Sequence, residues 1–449
     1  MRTFQASLAA LLTTASYLAH ASPKAPAPGQ DLSPQTVARA TLIATGDVMM
    51  HEAVKAAAAA AERRDAAGRS LDHGGFDELF AAVAPLLHSA DLAFANLEFP
   101  VAPRAGRGTR PFVFNAPPVV LDALRAAGFG LVSFANNHAY DQGPAGVAET
   151  LDELRAAGLP EIGAGRDLAE ARQPYVATLN GIRVAFVGCT ARFNDDLNAS
   201  DPKAPHVNPA DPDAVAALVA AARRQADFVV VSVHWGTEYH PAPEPEQTAL
   251  AHRLIEAGAG LLLGSHPHVL EPLELYPAAD GHVGLVAYSL GNFLSNQSRT
   301  FAEGVSPAAQ GDTRDGALLK VEIVMRRYLR GPPVAELGHV DFVPLWTENN
   351  ALARERDPAL PLRIRVVPID DAAASARASL DRALAQPASD PHLVAELQRR
   401  LALLSDQRQR IVDRLGPQFE DAAPAVVASP PMTTAPGKPA VTSAGPRSP

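Results

Sequence analysis

The chain has 449 residues, of which 47% are hydrophobic and 20% are charged, a composition typical of a globular protein. Its length allows one large domain with appendages, or two to three domains of ordinary size. The formal net charge of −10 argues against nucleic acid as a partner, and no basic stripe reverses this. The single cysteine, Cys189, lies in an apolar run, so we expect a buried, inert thiol rather than a disulfide.

The first 21 residues are typical of an export signal. Arg2 is followed by an apolar segment too short to span a bilayer comfortably, and residues 19–21 form the small-residue cleavage pattern Ala-His-Ala. Residues 22–39 are rich in proline and alanine and predict an extended linker. We therefore expect an exported protein, periplasmic or at the cell surface, that is cleaved after Ala21. The alternative is an uncleaved membrane anchor.

From residue 40 to about residue 370, apolar strand-like runs alternate with amphipathic helical segments, which predicts an α/β fold. Five of the runs are continuous and end at polar residues or glycine, as strands do in a sheet covered on both faces. These runs are TLIATG, DLAFANLE, FGLVSFANN, DFVVVSVHWG and AGLLLGSH. Asn180-Gly181, between two alternating runs, predicts a type I′ hairpin. The pattern indicates a mixed sheet, or two sheets packed together, with helices outside.

The C-terminal part of the chain has a different composition. Residues 371–415 carry a helical pattern interrupted near Pro387 and Pro391, and one apolar face of this extension must bury against the folded domain. Residues 416–449 are rich in proline, alanine, serine and threonine and predict a disordered tail. The predicted organisation is therefore a signal, a linker, a domain over residues 40–370, a helical extension and a tail.

Side chains that can bind metals follow five of the predicted strands, at the points where the strands end. They are Asp47 and His51, then Asn96 and Glu98, then Asn136, Asn137 and His138, then His234, and finally His266 and His268. Because ligands gather at the carboxyl ends of strands in α/β sheets, we expect these clusters to converge. Carboxylate, amide oxygen and imidazole suit Mn, Fe or Zn. In an extended segment, the alternation of side chains would place both rings of His-Pro-His on one side.

Each of these features has a structural alternative. A single histidine at a strand end is usually a structural residue whose ring nitrogens are hydrogen-bonded within the fold. Asp141 could cap the helix that begins near Pro144. The remaining histidines that lack such placement are expected at the surface or in packing contacts. They are His88, His240, His252 and His282.

Six motifs between residues 41 and 296 together resemble the bacterial capsule-synthesis CapA/PgsA family. The motifs are GDVMMH, ANLEFP, FANNHAYDQG, HWGTEY, GSHPHVLEP and YSLGNFLSN, in the family's order. This family is associated with poly-γ-glutamate synthesis and export and is related to calcineurin-like metallophosphoesterases. The resemblance implies a four-layer α/β/β/α sandwich with a two-metal centre between the sheets.

The resemblance also implies a role for individual residues. The ligands of two divalent ions (Mn, Fe or Zn) would be Asp47, Glu98, Asn137, His234, His266 and His268, with Glu98 in the bridging position. Met49 stands where metallophosphoesterases have a histidine, which leaves open whether His51 replaces it. His138 is implied to be free of the metals and to act on the leaving oxygen. From its spacing, three positions later in the chain, Asp141 could orient the His138 imidazole.

The function implied is that of an exported two-metal hydrolase acting in synthesis, export or processing of a capsule-type anionic polymer such as poly-γ-glutamate. The polymer or a phosphoester would be the substrate, and a membrane-bound synthase or export complex a partner. The alternative is a non-catalytic metal-binding scaffold of that complex, which the altered first motif favours. A periplasmic solute-binding protein would need two similar lobes and a hinge, and the clustered histidines argue against it.

Overall fold

The structure is a computed structural model that describes residues 33–420 except residues 109, 196–200 and 387–389. The predicted export signal, most of the predicted linker and the chain beyond residue 420 lie outside the described residues. Among the helices that are described, none is both long and apolar enough to cross a membrane.

The described chain alternates strands and helices throughout the predicted domain. The strands are β1 (Gln35–Val48), β2 (Leu92–Leu97), β3 (Phe129–Ser133), β4 (Glu161–Ile162), β5 (Ala164–Gly165), β6 (Tyr175–Leu179), β7 (Ile182–Thr190), β8 (His206–Val207), β9 (Phe228–His234), β10 (Leu261–Ser265), β11 (Leu270–Pro277), β12 (Val283–Leu290), β13 (Asn292–Leu294), β14 (Asp315–Arg327), β15 (Val334–Asn349) and β16 (Ile364–Pro368). The helices are α1 (Glu52–Ala61), α2 (Phe76–Phe80), α3 (Ala84–Leu87), α4 (Val119–Ala127), α5 (Gly143–Ala157), α6 (Leu168–Ala171), α7 (Pro212–Arg223), α8 (Pro245–Glu256), α9 (Ala351–Arg356), α10 (Ile369–Leu384) and α11 (Pro391–Leu415).

Two large sheets pack face to face. The first has the order β16-β15-β14-β1-β2-β3-β4, with β13 also on β1, and the second has the order β11-β12-β10-β9-β7-β6. Leu42 and Phe94 of the first sheet share one buried cluster with Phe186 of the second. Helices α4 and α5 cover the outer face of the first sheet, and α7 and α8 cover that of the second. The predicted four-layer α/β/β/α sandwich is confirmed.

The predicted hairpin at Asn180-Gly181 is also confirmed. β6 and β7 pair in antiparallel fashion up to Leu179 opposite Ile182. The two turn residues have φ values of 48° and 84°, and a type I′ turn requires positive φ at both central positions.

The ends of the folded part differ from the sequence prediction. β1 begins at Gln35, which pairs with Arg327 of β14, so residues 35–39 form a strand rather than part of a linker. The side chains of this first part of β1 alternate between exposed and partly buried. Backbone hydrogen bonds to β14, rather than burial of an apolar run, therefore hold this segment in the sheet. Phe419 is buried against the inter-sheet cluster, so the folded part also extends past residue 416.

The helical extension belongs to the same core as the sheets. α10 follows β16 without a linker, and α11 buries Leu404, Ile411 and Leu415 in the inter-sheet cluster. α10 ends at Leu384 and α11 begins at Pro391, which agrees with the interruption predicted from the prolines.

A close backbone contact joins β1 to the turn between β12 and β13. The Asp47 N–H donates to the Gly291 carbonyl at 2.9 Å, and Asp47 is in parallel register with Asn292. A Cβ atom on Gly46 would lie 1.8 Å from the Gly291 oxygen. Only glycine at position 46 therefore lets these strands approach and hold Asp47 beside Asn292.

Candidate metal centre

The carboxyl ends of strands from both sheets meet at one buried position. β1, β2 and β3 are parallel in the first sheet, and β9 and β10 are parallel in the second. The structure brings together the side chains predicted at these strand ends, and each is at most 6% exposed. They are Asp47, Glu98, Asn137, His138, His234, His266 and His268. The predicted convergence is present.

Asp47 and His268 form one half of the site. The Asp47 Oδ2 atom lies 3.0 Å from Nδ1 of His268 and accepts a hydrogen bond from the His266 backbone N–H at 3.3 Å. The Asn292 Oδ1 atom lies 3.2 Å from the same His268 nitrogen. Because Nδ1 is occupied on this side, His268 turns Nε2 towards Glu98, whose Oε1 is 3.7 Å away.

Glu98 and His234 form the other half. The Glu98 Oε1 atom lies 3.9 Å from Nε2 of His234, and Asn137 Oδ1 lies 2.9 Å from that nitrogen. The second ring nitrogen of His234, Nδ1, lies 2.9 Å from the Ser265 hydroxyl. The two halves of the site therefore meet at the Glu98 carboxylate.

The donor set fits divalent cations. Three groups of side chains each place their ligand atoms within 4.8 Å of one another, and Glu98 belongs to two of them. The groups are Asp47 with Glu98 and His268, Glu98 with His234 and His266, and Glu238 with His266 and His268. Glu98 Oε1 and His266 Nδ1 are buried without a hydrogen-bond partner among the described residues. Buried polar atoms normally have a partner, and a cation would supply it to both.

Burial shapes the electrostatics of the centre. It lowers the pKa of His266 to about 3, an effect that the neighbouring His268 strengthens, and it lowers the pKa of His234 well below its ordinary value. Burial and the adjacent Asp47 carboxylate raise the pKa of Glu98 well above its ordinary value. The imidazoles of His234 and His266 are therefore neutral, as metal ligands must be, and ionised Glu98 needs a cation beside it.

His138 lies beside this centre but belongs to none of the three-residue groups formed by the described residues. Its Nδ1 lies 2.9 Å from Asp141 Oδ2, and its ring lies 4.5 Å from the Phe114 ring, centroid to centroid. The same Asp141 oxygen accepts a hydrogen bond from the Phe114 backbone N–H at 2.5 Å. Asp141 does not cap α5, because Gln142 is the N-cap residue and makes no side-chain cap. The capping alternative is therefore wrong.

The backbone of His-Pro-His is not extended, contrary to the sequence prediction. His266 has a φ of 98° and His268 a φ of 58°, so the segment turns sharply after β10. The rings still face a common centre, with centroids 5.9 Å apart. Contacts of both residues with Asp47, across the sheet, hold this turn where local sequence favours extension.

His51 takes no part in the three-residue groups of the described chain. Its Nδ1 accepts a hydrogen bond from the Asn296 backbone N–H at 3.3 Å, and its ring packs edge-on against Phe114. Met49 is buried in the hydrophobic cluster between the first sheet and its covering helices.

The four histidines expected in surface or packing positions contact carboxylates or carbonyls. His88 contacts Ala126, His240 contacts Ala242, His252 contacts Glu274, and His282 contacts Asp280 and Ala259.

Several residues of the site receive no individual role in the sequence prediction. Asn96 donates to Asp47 Oδ1 at 2.8 Å and to Glu98 Oε2 at 3.1 Å, so one amide links the two carboxylates. The sequence prediction already includes Asn96 among the strand-end side chains that can bind metals, but its contact with both carboxylates depends on the fold. Ser265, Asn292 and Glu238 stand within the recognised motifs, but their contacts arise between distant segments.

Arg192 also lies at the edge of the centre. It follows β7, next to Ala191, whose N–H donates to the His234 carbonyl at 2.8 Å. Its charge contributes to lowering the pKa of both His234 and His266, after burial and neighbouring histidines. Its Nη2 lies 3.4 Å from Glu244, while its buried Nε has no hydrogen-bond partner among the described residues. A charged residue two positions after the end of an apolar strand is the signal that could have found it.

The family model described as "Bacterial capsule synthesis protein PGA_cap" matches residues 41–297, more than half of the chain and the segment that carries every residue of the centre. The chain belongs to this family. The PGA_cap match ends before β14, so β14, β15 and the helical extension lie outside it.

Relatives with assigned names agree with this membership. "Capsule biosynthesis protein CapA" of Bacillus anthracis is 29% identical over 72% of this chain and 77% of its own length. "PGA biosynthesis protein CapA" of Bacillus subtilis (strain 168) is 31% identical over 62% of this chain and 66% of its own length. Among solved structures, Haemophilus influenzae NAD nucleotidase is 13% identical with a TM-score of 0.39, covering 83% of this chain and 60% of that chain.

Proposed function

We propose that this chain is an exported, metal-dependent hydrolase that acts on an anionic polymer or a phosphoester during the synthesis, export or processing of a capsule-type polymer such as poly-γ-glutamate. The names of the two CapA relatives support the biological setting. The predicted signal at residues 1–21 supports export, and a membrane-bound synthase or export complex is the expected partner.

The observation that carries the proposal is the position of His138. A scaffold that used metal for structure would need ligands only. This imidazole stands beside the ligand groups, is held through Nδ1 by Asp141, and is not among the ligands. A positioned imidazole that is free of the metal is the group that proton transfer to a leaving oxygen requires.

We expect two divalent ions of the Mn, Fe or Zn class, for which the three ligand groups, two of them containing Glu98, would provide the donors. Bound there, such ions would polarise a substrate oxygen and activate water. The chain's own residues do the remaining work. Asn96 keeps Asp47 and Glu98 in place, and Asp141 fixes the His138 ring so that Nε2 is the atom left to move a proton. Arg192 supplies positive charge for an anionic substrate.

The test compares His138→Ala with His266→Ala. Metal content is measured by elemental analysis, and hydrolysis is measured on a panel of phosphoesters and on poly-γ-glutamate. We expect His138→Ala to keep its metal while turnover falls by about 10²- to 10⁴-fold, the usual contribution of general acid–base catalysis. His266→Ala should lose metal and turnover together, because removal of a ligand dismantles the centre.

The scaffold function predicts a different result. Wild-type protein would bind metal and hydrolyse none of these substrates, and His138→Ala would support polymer production at the wild-type level. A His138→Ala variant with full hydrolytic activity would contradict the role assigned to this residue. Export is tested separately by sequencing the mature N-terminus, which should begin directly after Ala21.

A further inference from the structure

The tip of the β14–β15 hairpin combines exposed apolar and basic side chains. Residues 326–334 read RRYLRGPPV and contain no acidic residue. Leu329 is 72% exposed, Tyr328 is 37% exposed and Val334 is 38% exposed. Three arginines lie in the same nine-residue segment, at positions 326, 327 and 330. We call residues 326–334 the basic hairpin.

Most of this positive charge is not neutralised within the described chain. Arg326 pairs with Glu336 at 3.2 Å, and the Tyr328 hydroxyl also donates to Glu336. Neither Arg327 nor Arg330 makes an ion pair with any described residue. The basic hairpin therefore presents two guanidinium groups that have no ion pair among the described residues, beside exposed apolar groups, in a chain whose net charge is −10.

The basic hairpin lies at the end of the first sheet opposite the metal centre. β14 runs from Asp315, near the centre, to Arg327 at the tip, and Arg327 pairs with Gln35 at the start of β1. Because a strand rises about 3.4 Å per residue, the stretch of β1 from Gln35 to Asp47 separates the two ends by about 40 Å. Val37, 41% exposed on β1, extends the apolar surface at the same end.

β1 therefore begins beside the basic hairpin. Residues 1–32 lie outside the described structure, and their sequence contains the predicted export segment. The eleven residues 22–32, if fully extended, span at most about 40 Å. An export segment that is still in a bilayer would hold the basic hairpin near that bilayer.

We propose that the basic hairpin binds an anionic lipid surface, with Leu329 and Tyr328 entering the headgroup region and Arg327 and Arg330 contacting lipid phosphates. Tyrosine and arginine suit this interface, since one carries a polar tip on an apolar ring and the other binds phosphate through several donors. A hydrophilic polyanion would use the arginines and leave Leu329 and Val334 in water. The lipid contact builds on the proposed export for its biological setting, but it can be measured without it.

The lone buried thiol allows a site-specific test on the full chain. Because Cys189 is fully buried, a cysteine introduced at Leu329 is the one that a polarity-sensitive fluorophore labels. Leu393→Cys, at an exposed position of α11, is the matched control. With phosphatidylglycerol-containing vesicles we expect a blue shift in emission at position 329 and none at position 393. Pure phosphatidylcholine vesicles should give a smaller shift at position 329.

A charge-reversal variant provides a second test of the lipid contact. Arg327→Glu with Arg330→Glu should weaken partitioning onto the anionic vesicles by about five-fold or more for each arginine, since one basic residue near such a surface contributes about 1 kcal/mol. Absence of a shift at position 329 while the protein sediments with the vesicles would overturn the proposal. So would a shift on adding poly-γ-glutamate without lipid, which would identify the basic hairpin as a polymer-binding surface.

The two proposals fail in different experiments. The double charge-reversal variant should keep wild-type metal content and wild-type hydrolysis in solution, because the basic hairpin is far from the metal centre. A wild-type protein without metal or hydrolysis would remove the proposed function and leave the vesicle result unchanged.

Discussion

Asp141 places one carboxylate oxygen 2.9 Å from Nδ1 of His138 and 2.5 Å from the backbone nitrogen of Phe114. The Phe114 ring in turn packs against the His138 ring. The imidazole is therefore held between two loops, one that follows β2 and one that follows β3. The orientation of the His138 ring therefore depends on both loops, although His138 is not one of the candidate metal ligands.

Asp141→Asn tests this positioning. The amide oxygen can occupy the position of Oδ2 and accept from both His138 and the Phe114 N–H, but it lacks the negative charge of the carboxylate. We expect turnover to fall by about 100-fold with metal content unchanged, because the neutral amide orients the imidazole without stabilising the positive charge that it gains during proton transfer. Asp152→Asn, an exposed substitution on α5, is the control and should change neither quantity.

The metal-free protein should lose stability on mild acidification partly through His51. Burial, with the nearby His268 and His138 charges, lowers the pKa of His51 from 6.5 to about 4. The unfolded chain therefore binds this proton between pH 6.5 and pH 4 while the folded chain does not, and stability falls as pH falls through that window. The His51 contribution is complete above pH 6.5.

His51→Gln provides the comparison, because its amide oxygen can still accept from the Asn296 N–H. Since the His51 side chain is partly exposed, we expect it to account for about 2 kcal/mol of the stability lost between pH 6.5 and pH 4. The measurement is the free energy of unfolding in denaturant at several pH values, with a chelator present. Parallel curves for the two proteins would contradict the prediction.

Arg192→Ala should weaken the binding of an anionic substrate. A hydrogen bond to a charged group contributes about 1.5–3 kcal/mol, so we expect KM to rise by about ten-fold or more while metal content stays the same. Arg183→Ala is the matched control, since Arg183 pairs with Asp227 at the far end of β7. A KM unchanged by Arg192→Ala would exclude this arginine from substrate binding.

The C-terminal helix connects to the metal centre through a chain of hydrogen bonds. Arg410 and Arg414 of α11 bind Asp312, at 2.5 and 3.0 Å. The carbonyl of the next residue, Thr313, accepts from the Asn292 side chain at 2.9 Å, and Asn292 Oδ1 contacts His268. α11 lies outside the PGA_cap match yet braces a candidate ligand of the centre.

Arg410→Gln with Arg414→Gln should therefore lower metal affinity. Residues that support a ligand typically affect metal affinity by about 10- to 100-fold, and we expect the lower end because two links intervene. Arg408→Gln is the control on the same helix, since Arg408 contacts Asp370 and Glu420 instead. Isothermal titration with Mn²⁺ or Zn²⁺ compares the three proteins. Equal affinities would show that α11 is structural only.

Local pattern predicted the strands, the Asn180-Gly181 hairpin and the meeting of ligand side chains at strand ends, because these features follow from short-range periodicity and from sheet geometry. It failed where long-range contacts override local preference. The turned backbone of His266 and His268 depends on Asp47, more than two hundred residues earlier in the chain. The early start of β1 depends on its pairing with β14, and the bracing of Asn292 depends on α11. The spacing of residues along the sequence does not predict any of these long-range contacts.

The backbone conformation at His266 and His268 lowers the stability of the fold in favour of its function. Both residues occupy positive φ, where a side chain with a Cβ costs on the order of 1–3 kcal/mol and glycine costs little. A chain selected only for durability would place glycine at both positions. Since a domain's net stability is about 5–15 kcal/mol, two such residues use a sizeable part of it. Random mutagenesis scored for thermal resistance alone would thus enrich the loss of these histidines, and with them the loss of the metal centre.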